Sequence, residues 1–135
     1  FLYTVRQVLT ILAEKENGAT IFHCTEGKDR TGFVALFTLY ILGVDLEVIR
    51  QDYLASNSIL SSYRAERDKE FENAGENLTF RSNMRILSSA SDFFFDTVLL
   101  TIEEQYQNMD AYLKNVLDVT PELRARLCEL YLEEK

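Results

Sequence analysis

The sequence predicts an α/β domain, mostly helical within this chain, with one central strand running into a tight loop. Three observations carry that prediction. Only the run Ala19–His23 has the β-branched and aromatic character of a buried strand. About seven other segments place apolar residues at helical spacing. Finally, the 135 residues are 47% hydrophobic and 27% charged, the balance of one globular domain spanning 1–135. A single strand cannot make a sheet, so its neighbours are expected from outside this chain, in a missing N-terminal segment or another polypeptide.

Taken in order, Leu2, Val5, Val8, Leu9 and Leu12 make residues 2 to 15 an amphipathic helix, which Asn17-Gly18 ends with turn chemistry. The strand at 19–23 follows. Thr31 to Leu42 is apolar almost all round and reads as a buried helix, closed by Gly43 in a left-handed cap. Asp45 is an N-cap for a helix with Leu46, Ile49, Tyr53 and Leu54 on one face. Residues 58–72 are charge-rich and helical, with Leu60, Tyr63 and Phe71 as apolar contacts, and 73–77 form a loop. A weak strand competes at 78–81. Helices are expected over 80–90, 92–106 and 109–117. The last begins at Thr120-Pro121, with Pro at the first helical position and Leu123, Leu127, Leu130 and Tyr131 as its stripe.

The net charge of −8 argues against duplex nucleic acid or anionic lipid as the main partner. An anion must therefore be held by a local site working against the global field. Two cysteines, Cys24 and Cys128, are too few for a disulfide framework and fit a reducing compartment. His23 is the only histidine, so no zinc-type cluster exists, and no metal or cofactor is expected. No apolar run is long enough for stable membrane insertion, and there is no signal-peptide pattern.

The chemistry concentrates in residues 23–32, His-Cys-Thr-Glu-Gly-Lys-Asp-Arg-Thr-Gly. Cys24 and Arg30 stand in C-x5-R spacing between the expected strand and the expected buried helix. Such a loop turns backbone N–H groups inward and adds the helix dipole, making an anion nest. Arg30 can grip two phosphate oxygens with its planar fork. A cysteine at the base of the nest has its thiol pKa lowered and lies under a bound phosphate, placed for in-line attack. Gly27 allows a positive φ and Gly32 close packing. The Thr31 hydroxyl can donate to the thiolate and help it leave.

At these residues the sequence resembles the cysteine-dependent phosphatases, whose signature is HCxxGxxR[ST]G. Lys28-Asp29-Arg30 is similar to the atypical bacterial tyrosine and lipid phosphatases with an HCxxGKDRTG loop. Asp52-Tyr53-Leu54-Ala55-Ser56-Asn57 is similar to their DYLxSN segment. Asp110-Ala111-Tyr112-Leu113 and Val119-Thr120-Pro121-Glu122-Leu123 are similar to their C-terminal region. The resemblance covers residues 19 to 135 and implies the C-terminal half of a phosphatase-type α/β fold. Most of that fold's strands precede the loop.

It also implies roles. Cys24 would be the nucleophile, Arg30 the phosphate grip, Thr31 the hydroxyl partner and Asp29 the general acid. Thr25, Glu26, Gly27, Lys28, Asp29 and Arg30 would surround the substrate, with His23 and Gly32 supporting the loop. The implied activity is hydrolysis of phosphate monoesters through a phosphocysteine. A phosphorylated protein is the leading substrate, and Lys28, a cation inside the loop, makes a phosphoinositide the second. A non-catalytic phospho-binding module is the alternative. The implied setting is the cytoplasm, or secretion as a bacterial effector.

Plainer roles stand beside these. Asp29 could simply pair with Lys28 and brace the loop. His23 could be a satisfied core histidine. Cys128 and Phe93–Phe95 read as core. Arg64, Arg67 and Lys69, alternating with Glu66, Asp68 and Glu70, read as a solvated face or as a lid supplying substrate contacts.

Overall fold

The computed structural model describes residues 2–133. It contains eight helices in chain order: α1 (Leu2–Glu14), α2 (Arg30–Ile41), α3 (Leu46–Ile59), α4 (Ser61–Asn73), α5 (Leu78–Leu87), α6 (Asp92–Tyr106), α7 (Met109–Asn115) and α8 (Pro121–Tyr131).

The helix ends lie where local chemistry puts them. Asp45, Asn77, Ser91, Asn108 and Thr120 each accept a backbone N–H from the first turn of the helix they precede, satisfying donors that have no partner inside the helix. Asn77 thus starts a helix at Leu78 where a weak strand competed in the sequence. After α2 the chain reverses at Gly43, φ +82°. Gly43 N–H bonds Tyr40 O and Val44 N–H bonds Leu39 O, the paired bonds of a Schellman ending.

Helix α2 lies at the centre, in contact with α1, α3 and α8. Its Val34, Leu36, Phe37 and Ile41 are buried with Val5 and Leu9 of α1, Ile49 of α3, Leu113, Leu117 and Leu127. Burying each such side chain contributes roughly 1.5–3 kcal/mol. Phe37 stacks on Tyr112 with ring centroids 5.6 Å apart. The α4–α5 hairpin joins the body through α3; α4 buries no residue fully, and its Phe71 meets Phe80 of α5 edge-on at 5.2 Å.

Two expectations require correction. Residues 19–23 form no strand, and none exists among the described residues. Ile21, expected inside, is 86% exposed. A strand is defined by the ladder it makes with a neighbour, and here no neighbour is present, so the α/β class is not expressed within these residues. Phe93 is the second case: only Phe95 of the three phenylalanines is buried, and Phe93 is 73% exposed. A helix turns 100° per residue, so three consecutive side chains cannot share one buried face.

Candidate phosphate-binding loop

Residues 24–29 cross from the irregular segment 19–23 into the first turn of α2. Gly27 sits at φ +73° with nothing near its missing side chain, so glycine is needed there for backbone freedom. Gly32 lies close against α3. A Cβ at this position would meet the Tyr53 ring at 3.3 Å, and α2 could not approach α3 as closely.

Donors of Glu26, Gly27 and Thr31 lie near the Cys24 sulfur. Burial pushes the thiol pKa up. The Thr31 hydroxyl and the backbone N–H groups of Thr31, Gly27 and Glu26 together outweigh it, bringing Cys24 below the ordinary thiol value to about 7. Thr31 Oγ1 is buried and has no hydrogen-bond partner among the described residues, so its hydroxyl is uncommitted, and it lies near enough to the sulfur to lower the thiol pKa. The arrangement stabilises negative charge at one point, and an activated thiol is its first consequence.

His23, Cys24, Arg30 and Thr31 share one cavity of about 400 Å³, walled by Thr4 and Val8 of α1, Phe22 and Val34. Arg30 is exposed, and its Nη2 donates to Thr25 Oγ1 at 3.1 Å. His23 is not a core residue; it is exposed, and its Nδ1 lies 3.2 Å from the Cys24 carbonyl.

Lys28 and Asp29 do not line that cavity. Lys28 is 3% exposed. Its Nζ donates to Asp29 Oδ1 at 3.0 Å, Asp29 Oδ2 at 2.9 Å and the Leu87 carbonyl at 3.0 Å. The Asp29 carboxylate makes no capping bond to α2. It faces a small hollow with Gly32, Phe33, Leu36, Tyr53, Phe94 and Phe95. Burial raises the Tyr53 pKa and the negative charge of Asp29 raises it further, against a backbone bond at Ser91.

Glu26 points elsewhere, into a hollow of about 60 Å³ with Arg64, Arg67, Arg81 and Arg85 of the α4–α5 hairpin. The charges of that hairpin are not a plain solvated face. Asp68 bridges Arg81 and Arg85, each at 2.7 Å, while Arg81 also binds Glu72 at 2.8 Å. These guanidinium groups hold the Asp68 carboxyl well below the usual carboxylate range.

Sequence reasoning missed the partners supplied from afar. Asn57 Nδ2 donates to Ala90 O at 2.7 Å, and Asn57 Oδ1 accepts from Ala90 N at 3.0 Å. The α5–α6 connector is thereby pinned close to where Lys28 holds Leu87. The DYLASN segment signalled Asn57, but no local pattern signalled Ala90 or Leu87.

The profile of the tyrosine phosphatase family matches residues 3–133 of this chain. The chain is 33% identical over 120 residues to the triple specificity protein phosphatase PtpB of Mycobacterium tuberculosis, an alignment covering 82% of this chain and 42% of the relative. It is 28% identical over 117 residues to a tyrosine-protein phosphatase of Nostoc commune, covering 82% of this chain and 38% of the relative. The chain thus spans about two-fifths of the length of these curated relatives.

Proposed function

The chain belongs to the tyrosine phosphatase family, and from that premise we propose that it is the C-terminal part of a phosphatase domain that hydrolyses phosphotyrosine through a phosphocysteine. The observation that carries this reading is that His23, Cys24, Arg30 and Thr31 share one cavity at the start of α2, where the Thr31 hydroxyl and the Thr31, Gly27 and Glu26 N–H groups bring the Cys24 thiol to about 7. Donors that stabilise a thiolate in the free loop are equally suited to the equatorial oxygens of a bound phosphoryl group.

In this reading the Cys24 thiolate attacks phosphorus in line, the S–P bond forms, and the ester P–O bond breaks. Arg30 holds equatorial oxygens with its fork. Asp29, held by its contact with Lys28, supplies the proton that the leaving oxygen takes up. Water then attacks phosphorus, giving a proton back to the Asp29 carboxylate, the S–P bond breaks, and the Thr31 hydroxyl stabilises the departing thiolate. Phosphotyrosine is preferred over a phosphoinositide because Lys28, the cation that would recognise further phosphates, is turned inward onto Asp29 and Leu87.

The test is Cys24→Ser. It should abolish turnover of a phosphotyrosine peptide while vanadate binding survives, and the parent protein should show a burst of phenol before steady state. A Cys24→Ser protein that still turns over removes the reading; a parent that binds phosphopeptide without turning it over is a binding module.

A further inference from the structure

Lys28 lies next to the proposed acid in a loop proposed to bind phosphate, and its surroundings define a different task from substrate contact. Its ammonium has three donors, and three acceptors meet them: both Asp29 oxygens and the Leu87 carbonyl. Leu87 is the last residue of α5, so its carbonyl belongs to the helix end that has no internal partner and carries the negative pole of the dipole. A buried cation is well placed there. Two groups of α3 hold the adjoining connector from the same side: Asn57 clamps Ala90, and Tyr53 meets the Ser91 backbone. Tyr53 is also the ring against which Gly32 packs.

Resting on the phosphatase reading above, we infer that Lys28 is a positioning residue that acts through Asp29 and Leu87, tying the proposed acid and the end of α5 to one point, and that it does not contact the transferred phosphoryl group. Lys28 then couples the end of α5 to the loop, beside Glu26, which faces the hairpin arginines.

The experiment uses the full-length protein and its Lys28→Met, Asp29→Asn and Lys28→Met/Asp29→Asn variants. Each is titrated with orthovanadate, assayed on an unactivated aryl phosphate, and followed by amide hydrogen exchange. The double variant removes both charges and serves where the single Lys28 change leaves the carboxylate unpaired.

The inference expects Lys28→Met to keep vanadate affinity within about twofold and to lower kcat/KM about tenfold. It also expects the double variant to fall no lower than Asp29→Asn, because the two residues act as one unit. Amides 87–91 should exchange faster in Lys28→Met. A vanadate affinity weakened about tenfold or more, or single effects that multiply in the double variant, overturns it. A parent without turnover sinks the phosphatase reading instead. The latch is then judged by exchange alone, and unchanged protection at 87–91 in Lys28→Met overturns it.

Discussion

Thr31 is the side chain that most directly sets the reactivity of Cys24. Its hydroxyl is the largest influence lowering the thiol pKa, ahead of the three backbone donors. Thr31→Val keeps the shape and the N–H but removes the hydroxyl. Hydrogen bonds to charged groups contribute about 1.5–3 kcal/mol, which should carry the Cys24 titration from about 7 to about 8–9. Iodoacetamide alkylation followed against pH reads this directly as the midpoint of the rate. The sign for stability follows from linkage. A folded-state thiol pKa lowered below its unfolded value contributes stability that is fully present above about pH 8.5 and is lost as pH falls through about 7. Asp29 is tested by a different substrate comparison. Asp29→Asn should slow an ester with a poor leaving group about 100-fold and an activated aryl ester far less, since only the former needs the proton. Equal slowing of both would make Asp29 a brace for Lys28.

Among the elements, α3 organises the site more than its modest burial suggests. It contributes one fully buried core residue, Ile49, yet its Tyr53 sets the approach of α2 and its Asn57 holds the turn into α6. Asn57→Ala would leave the N–H and C=O of Ala90 unpaired in a residue only 4% exposed. Each buried orphan group costs about 1–3 kcal/mol, so urea unfolding should show a loss of about 2 kcal/mol or more. Asn57→Asp, which keeps the acceptor, should lie between. By contrast, α1 and α8 hold together through their apolar faces, with Leu9 and Leu127 fully buried and Tyr131 Oη donating to Leu12 O at 3.0 Å. Leu127→Ala should cost about 2–5 kcal/mol, measured the same way, without altering the Cys24 alkylation midpoint.

At the scale of the whole molecule, residues 19–23 are irregular where the sequence expects a strand. Residues 19–23 have the composition of a strand and lead straight into the loop, yet no described strand pairs with them. Phe22 of that segment packs against the core while Ile21 stands exposed. We expect residues 19–23 to enter a sheet in a chain carrying the full length of the relatives. Hydrogen exchange at these amides should slow at least tenfold in the longer protein relative to residues 1–135. Equal exchange in both would mean that the segment is a loop by nature.

How much of this was legible beforehand depended on how far the deciding partner lay along the chain. The side-chain caps at Asp45 and Thr120, the left-handed ending at Gly43 and the positive φ of Gly27 were readable because each depends on a few neighbouring residues; the caps at Asn77, Ser91 and Asn108 carry the same short oxygen acceptors but were not singled out. The donors near Cys24 were readable for the same reason, since the loop and the first turn of α2 are contiguous. The direction of Lys28 was not. Its acceptor at Leu87 lies 59 residues away, and either a bound phosphate or a buried carbonyl would satisfy an ammonium in that loop. Asn57 on Ala90 and Asp68 between Arg81 and Arg85 were hidden likewise, because local pattern does not reveal which distant groups packing will bring within 3 Å. The strand expected at 19–23 marks the same boundary: β-branched composition creates a preference, but only a neighbouring strand supplies the hydrogen bonds that make it real.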